Sequence, residues 1–337
     1  MILCKQKTVF FLILIFLLSS KIFGQDAHYS QFYANPLYLN PAFAGSNNCP
    51  RFSINFRDQW PAIPGNFLVL SGSYDQHIAA IRSGIGVIVL SDIQGKGMLN
   101  TFNASAIYNF RIKVSHKFNL QFALQGGYLT SYVNWSKMET ASGMHYEDLS
   151  SFSYKEKRGF DAAFGIVGYT PYLYFGIAMH HLFPIQDKLL SGPGEQFKTN
   201  WVPKYTAHIG GKITILQKSR NEVNVGDIYL YPNFIFSSQG TFNYMHEGFY
   251  FNFYPFTIGG WLRHNFNNVD AFIFSCGVEY KFLRVGYSYD FILNKLEGTG
   301  GAHEVSLQFT IPCNNDRVVK KKTKKSMNYE PLDCPKF

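Results

Sequence analysis

Thr101–Ile112 reads TFNASAIYNFRI. In it Phe102, Ala104, Ala106, Tyr108, Phe110 and Ile112 alternate with Thr101, Asn103, Ser105, Ile107, Asn109 and Arg111. Successive side chains of a strand point to opposite faces, so the stretch has one apolar and one largely polar face. The pattern returns in Lys117–Tyr128, where Phe118, Leu120, Phe122 and Leu124 alternate with Asn119, Gln121, Ala123 and Gln125. It returns again in Arg51–Asp58, with Phe52, Ile54 and Phe56 set against Ser53, Asn55 and Arg57. Two-faced segments of about ten residues mark a transmembrane β-barrel, whereas the strands of a soluble sandwich run shorter.

Extending this reading along the chain predicts strands near 51–60, 66–77, 83–91, 98–112, 117–131, 158–170, 172–181, 203–216, 223–238, 246–254, 256–265, 270–281, 283–291 and 302–312. That is about fourteen, an even number, as bacterial barrels require. The connections alternate in length. Val133–Lys157, Leu182–Val202 and Ile292–Gly301 are long and Gln239–Met245 is intermediate, while Pro171, Gln217–Glu222, Pro255 and Phe282 mark short turns. Short periplasmic turns and long outer loops are how such barrels are built. The alternation places the long connections outside the cell and both termini in the periplasm.

Lys5 and Lys7 precede an apolar run, Val9–Leu18, followed by Ser19, Ser20 and the small residue Gly24. The run is too short to span a bilayer and has the order of a secretory signal peptide, expected to be cleaved after Gly24. After Gly24 no apolar stretch approaches the ~20 residues of a spanning helix. Aromatic residues make up 18% of the 337-residue chain and charged residues 16%, a balance that suits strands and membrane interfaces. Trp60, Trp135, Trp201 and Trp261 fall at or beyond the expected strand ends, where an interfacial girdle would lie.

One segment breaks the alternation. Gln25–Gly45, QDAHYSQFYANPLYLNPAFAG, carries two Asn-Pro steps, Asn35-Pro36 and Asn40-Pro41. Proline fixes φ, removes a donor and turns the preceding residue away from the helical region, so neither a regular helix nor a central strand fits. Tyr29, Phe32, Tyr33, Leu37, Tyr38, Leu39 and Phe43 nevertheless give it too much apolar surface for a free linker. It is read as a compact piece packed on something larger, either an ordered N-terminal arm or a lumenal plug. The expected organisation is a leader over 1–24, a plug-like segment over 25–50, a barrel over 51–312 and a basic periplasmic tail over 313–337.

This segment resembles the N-terminal signature of the PorP/SprF family, outer-membrane proteins of the type IX secretion system. A second block, Leu283–Phe309, resembles the family's closing hairpin, with GYSYD followed by a glycine-rich loop and HEVSL. The blocks stand at opposite ends of the mature chain, so the resemblance spans nearly all of it. It implies an outer-membrane barrel beside the type IX translocon that supports secretion or surface attachment of cargo proteins carrying a C-terminal sorting domain, gliding adhesins among them. It also implies contact with periplasmic components of the machine. The matching residues are Ser30, Gln31, Phe32, Asn35, Pro36, Asn40, Pro41, Ala42 and Gly45, then Gly286, Tyr287, Ser288, Tyr289, Asp290, His303 and Glu304. Asn40-Pro41-Ala42 also resembles the plug motif of long-chain fatty-acid transporters, which gives a channel for hydrophobic small molecules as the alternative. A surface adhesin binding through Val133–Lys157 and Leu182–Val202 is a third class.

Charge and cysteine narrow the field. The formal charge is +9, but Lys5, Lys7 and Lys21 lie in the leader, and Cys313–Phe337 holds seven basic residues against three acids. The barrel itself is close to neutral. Lys320–Lys325 reads as a solvated end, or more sharply as a dock for an acidic periplasmic partner or anionic headgroups. The export signal excludes nucleic acid as a partner. Cys49, Cys276, Cys313 and Cys334 remain after processing into an oxidising compartment. Cys313 and Cys334 bracket the tail and are the expected disulfide, with Cys276 a small wall residue. No CxxC or histidine spacing supports a metal, and no nucleophile, zincin or phosphate-loop motif points to catalysis or a cofactor. His180 and His181 are expected on opposite faces of a strand end.

Overall fold

The alternation that opens the sequence is realised as a ring of strands. The structure, a computed structural model, describes residues 25–47, 49–134, 156–183, 186–187, 199–216, 227–294 and 296–313. The wall is built from β1 (Arg51–Gln59), β2 (Phe67–Ile78), β3 (Ser83–Gln94), β4 (Leu99–Lys113), β5 (Asn119–Val133), β6 (Glu156–Tyr169) and β7 (Leu173–His180). A two-residue ladder follows, β8 (Gln186–Asp187) with β9 (Thr199–Asn200). The wall resumes with β10 (Lys204–Gly211), β11 (Ile213–Leu216), β12 (Ile228–Gln239), β13 (Phe242–Phe253), β14 (Phe256–His264), β15 (Val269–Tyr280), β16 (Leu283–Ile292) and β17 (Ala302–Thr310). Each wall strand pairs antiparallel with its neighbours in sequence. β10 and β11 form one stave interrupted at Lys212, since both pair with β12. The ladder of β1 with β17 completes a closed ring of 14 staves.

The two faces are the reverse of those of a water-soluble protein. On β1 Arg51, Ser53, Asn55 and Arg57 are buried while Phe52, Ile54 and Phe56 are exposed. On β4 Ser105, Asn109 and Arg111 are buried while Phe102, Tyr108, Phe110 and Ile112 are exposed. In water this would forfeit the hydrophobic effect and desolvate charge. Against lipid the outward apolar face is matched, and the closed ladder leaves no backbone edge unpaired in the hydrocarbon.

The fourteen expected segments all become staves, with local differences. Gln239–Met245 is not an intermediate loop. Gly240 and Thr241 make a tight turn, Gly240 at φ +61°, and Phe242 already pairs with Gln239. Gln217–Glu222 lies outside the described residues, as do most of Val133–Lys157 and much of Leu182–Val202. Trp261 is no girdle residue: it sits mid-strand on β14, faces inward and is 1% exposed. Trp60 and Trp201 do lie beyond strand ends, and Trp135 is outside the described residues.

Ring closure also decides the disulfide. Arg51 is paired with Thr310, and Ile311 N–H donates to Pro50 O at 2.9 Å, so the chain entering β1 runs beside the chain leaving β17. This brings Cys49 to Cys313, Cα atoms 5.4 Å apart, and the two are bonded. The expected Cys313–Cys334 bond is therefore corrected, and Cys334 lies outside the described residues. Proximity in sequence misled here because a partner 264 residues away becomes a neighbour only when the ring shuts. Cys276 is free and faces outward.

Candidate functional site: the lumenal plug

The two Asn-Pro steps fold the N-terminal segment into a pair of single turns. Pro36 occupies the first turn of α1 (Pro36–Leu39), where its missing N–H costs nothing. Asn40, extended at φ −156° as the residue before a proline should be, ends α1 and starts a 3-10 turn over Pro41–Phe43. Its side-chain oxygen accepts from Ala42 N–H at 2.9 Å, and its amide donates to Ile166 O at 3.1 Å and Ile177 O at 3.0 Å. Each Asn thus caps or anchors, and each Pro stiffens.

This piece fills the ring. Leu37, Ala42, Phe43 and Ala44 pack with the inward residues Ile88, Ile107, Ala123 and Val167. Phe32 meets Trp261 edge-on at 4.8 Å, and Tyr33 meets Tyr250 at 4.2 Å. Burying a side chain of this size contributes roughly 1.5–3 kcal/mol. The apolar clusters lie inside a largely polar wall where its inward apolar residues meet the plug.

The polar contacts bring together the two blocks that stand at opposite ends of the sequence. Ser30 N–H and Gln31 N–H donate to the two carboxylate oxygens of Glu304 at 2.8 and 2.9 Å. Ser30 Oγ donates to Asp290 at 2.7 Å, while Gln31 Nε2 reaches Ser288 Oγ at 3.2 Å and Glu304 O at 2.8 Å. Gly286 lies under the same glutamine, where a Cβ would stand 2.6 Å from Gln31 Oε1. Arg57, 1% exposed, joins the parts with Nη2 2.8 Å from Asp290 and Nη1 3.1 Å from Glu304 and 2.8 Å from Ser30 Oγ. Arg263 adds a second cation to Asp290 at 2.8 Å. Buried charge of this kind is costly unless it is paired and hydrogen-bonded.

Further along the plug, Asn35 Nδ2 donates to Ser71 Oγ at 2.9 Å, and Asn109 Nδ2 donates to Ala42 O and Ala44 O at 2.9 and 2.6 Å. Gly45 turns the chain with φ +65°, its N–H donating to Asp75 at 2.9 Å and its carbonyl accepting from Arg111 at 2.9 Å. A Cβ on Gly45 would stand 2.6 Å from Gly84 Cα, so the plug leaves the lumen by backbone-to-backbone contact.

At the other end Asp26 lies among His181, Lys204 and Gln239, at the rim of the long connections. The segment therefore spans the lumen rather than closing one mouth. Of the described residues, Asp26 lies at the long-loop rim and Cys313 at the short-turn rim. His181 also departs from expectation. Its left-handed backbone, φ +56°, turns the ring inward beside that of His180, and both are buried. His181 Nε2 is 2.9 Å from Asp26 and Nδ1 is 3.0 Å from Asp161.

Burial opposes the charge on His181, but Asp26, joined by Asp161, more than reverses this and raises it to about 10. For Asp26, burial acts upward, yet His181 and then Lys204 hold the carboxyl well below its usual range. The His181 contribution to the latch is complete below its ordinary 6.5 and is lost as pH rises to about 10. The Asp26 contribution is present above its ordinary 3.8 and fades as pH falls through the lowered folded value. Amide exchange at Ala27 and His28, corrected for intrinsic rate, is thus expected to be slowest near pH 5 to 6 and to accelerate steadily as pH rises from about 6.5 to about 10. Unchanged protection at pH 11 would refute the latch.

Of the residues singled out from the sequence, Ser30, Gln31, Phe32, Asn35, Pro36, Asn40, Pro41, Ala42 and Gly45 are all buried in the lumen. Gly286, Ser288, Asp290 and Glu304 face them. Tyr287, Tyr289 and His303 do not join them. They occupy the outer face, where Tyr287 Oη and His303 Nδ1 are 2.8 Å apart and Tyr289 packs on His303 at 4.8 Å. His303 and Glu304, adjacent in sequence, therefore cannot share a site. Sequence reading missed Arg57, Arg263, Asp75, Asn109 and the Asp26–His181 latch. The only signal for the arginines was their place in the polar phase of their strands.

A closed antiparallel ring, apolar without and polar within, with a plug knit into its lumen, is an outer-membrane β-barrel protein. Solved barrels that resemble it include the Pseudomonas putida toluene transporter TodX at 9% identity, covering 86% of this chain and 97% of that one with a TM-score of 0.46. A Pseudomonas aeruginosa FadL homologue is similar at 12% identity, 80% and 92% coverage and a TM-score of 0.44. The Acinetobacter baumannii outer membrane protein Omp33 matches at 8%, 79%, 100% and 0.42 respectively. At such TM-scores these likenesses bear no weight beside the ladder itself. No curated protein sequence matches the chain. The chain belongs to the PorP/SprF family of type IX secretion system membrane proteins, whose family model matches residues 22–309.

Proposed function

We propose that this protein is a non-enzymatic outer-membrane accessory of type IX secretion that supports the secretion or surface attachment of particular cargo proteins with a C-terminal sorting domain, such as gliding adhesins. The observation that carries this reading is the interlock of the two family blocks inside the lumen, through Ser30, Gln31, Asp290 and Glu304. A lumen occupied along its length and tied to its own closing strands suits a scaffold better than a conduit. The paired carboxylates Asp290 and Glu304 are engaged by Arg57 and the plug, which favours a structural role over acid–base chemistry. In this reading the leader is removed after Gly24, the long loops face outward, and the short-turn rim with the basic tail meets periplasmic components of the translocon.

Deleting Asp26–Ala44 behind an intact leader tests it. The truncated barrel is expected in the outer membrane, with one cargo no longer displayed while other type IX substrates still appear. Normal display of every cargo would overturn the reading. Cells lacking the whole protein that secrete normally but take up less of a hydrophobic small molecule would transfer the assignment to the channel.

A further inference from the structure

The plug does not fill the lumen completely. Between Asn35 and Tyr38 of the plug and the wall strands β10, β12 and β13 lies a cavity with about 30 Å³ of room for water centres. Phe32 and Ile235 form part of its lining, but Asn35, Lys204 and His246 bring polar groups to it, all three buried.

These polar groups are not matched by the protein itself. Asn35 Oδ1 and His246 Nε2, on residues 1% and 2% exposed, have no hydrogen-bond partner in the chain. Lys204 carries three ammonium hydrogens. One goes to Tyr38 Oη at 3.3 Å, the tyrosine spending its own proton on Ala27 O, while Asp26 at 3.7 Å is beyond hydrogen-bond reach. A buried polar group left unmatched is costly, and ordered water is the usual remedy.

Size, polarity and charge choose the occupant. One water needs about 10–15 Å³ on this measure, so there is room for two and too little for an organic ligand. An apolar occupant would leave Asn35, His246 and Lys204 as they are. An anion would set a further negative charge near Asp26, which already balances Lys204. A metal cation would face the Lys204 ammonium, and no cluster among the described residues is suited to hold one. Water accepts from Lys204, donates to Asn35 Oδ1 and serves His246 Nε2 in either tautomer.

We propose that this cavity is an internal hydration site for two water molecules, which bridge Lys204 of β10 and His246 of β13 to Asn35 of the plug. It goes beyond the secretion role and does not depend on it. Through it the plug meets this side of the ring by water as well as by direct contact.

The test is a crystal structure of the full-length protein in detergent, at a resolution that shows ordered water, with a second crystal soaked in bromide. Two solvent peaks are expected in the cavity, each within about 3.2 Å of two of the groups Lys204 Nζ, Asn35 Oδ1 and His246 Nε2, with no bromide signal there. His246→Phe is expected to lose the peak beside position 246 and to keep the one beside Lys204. Heat-modifiable migration confirms that the variant is folded. If it is not, wild-type protein is read by pulsed X-ray footprinting, in which radicals formed from bound water should oxidise His246 faster than His208, a buried imidazole bonded to Asn40. An empty cavity, a bromide peak or the continuous density of a detergent chain would overturn the proposal. So would both peaks persisting in His246→Phe, or oxidation of His246 no faster than that of His208.

Discussion

Replacing Arg57 with methionine is expected to destabilise the folded barrel by about 3–5 kcal/mol, the cost of removing one partner from a buried ion pair. Arg57 lies between Asp290 at 2.8 Å and Glu304 at 3.1 Å, and methionine of similar reach would leave both carboxylates in the lumen without it. Asp290 retains Arg263, but Glu304 keeps only the Ser30 and Gln31 amides of the plug. Arg263→Met should therefore cost less, since Asp290 still has Arg57. Urea titration of the heat-modifiable band reads both variants. Equal stability of Arg57→Met and wild-type protein would show that the plug amides alone hold Glu304.

Gly84→Val is expected to unseat the plug and open the lumen. A Cβ at Gly84 would stand 2.1 Å from Ala44 O and 2.9 Å from Gly45 Cα, both backbone atoms, so no rotamer change relieves it. The cost belongs at or above the upper end of the roughly 1–3 kcal/mol of ordinary overpacking. In planar bilayers wild-type protein should be silent and the variant should conduct. Gly72→Val is the control, because a Cβ at Gly72 meets nothing within 4 Å. A silent Gly84→Val barrel with its plug still protected from protease would mean the wall yields instead.

The wall was legible because lipid imposes a strict phase on each strand. Thr101–Ile112 announces its two faces, and β4 keeps them, with Phe110 exposed and Arg111 buried. What lay inside was less legible, since an arginine on the polar phase of a strand reads alike whether it meets water or a buried carboxylate. Arg57 is such an arginine. The expected strand 256–265 already puts Trp261 mid-strand, but its meeting with Phe32 does not show, because the plug has no strand register to align it. His181 escaped because left-handed backbone at a non-glycine residue leaves no mark in sequence. The family resemblance did mark Ser30 and Glu304, but as separate blocks; only closure made them one contact.

The plug touches the wall from His181 at one rim to Gly84 at the other, and β16 and β17 grip it between Ser30 and Gln31. The contacts of Ser30 and Gln31 with Glu304 exist only once β17 is in place beside β1. The earliest part of the chain therefore waits for the latest. A chain cut short before Ala302 is then not a smaller barrel but a ribbon without a closing edge, whose amino-terminal segment has lost its hold.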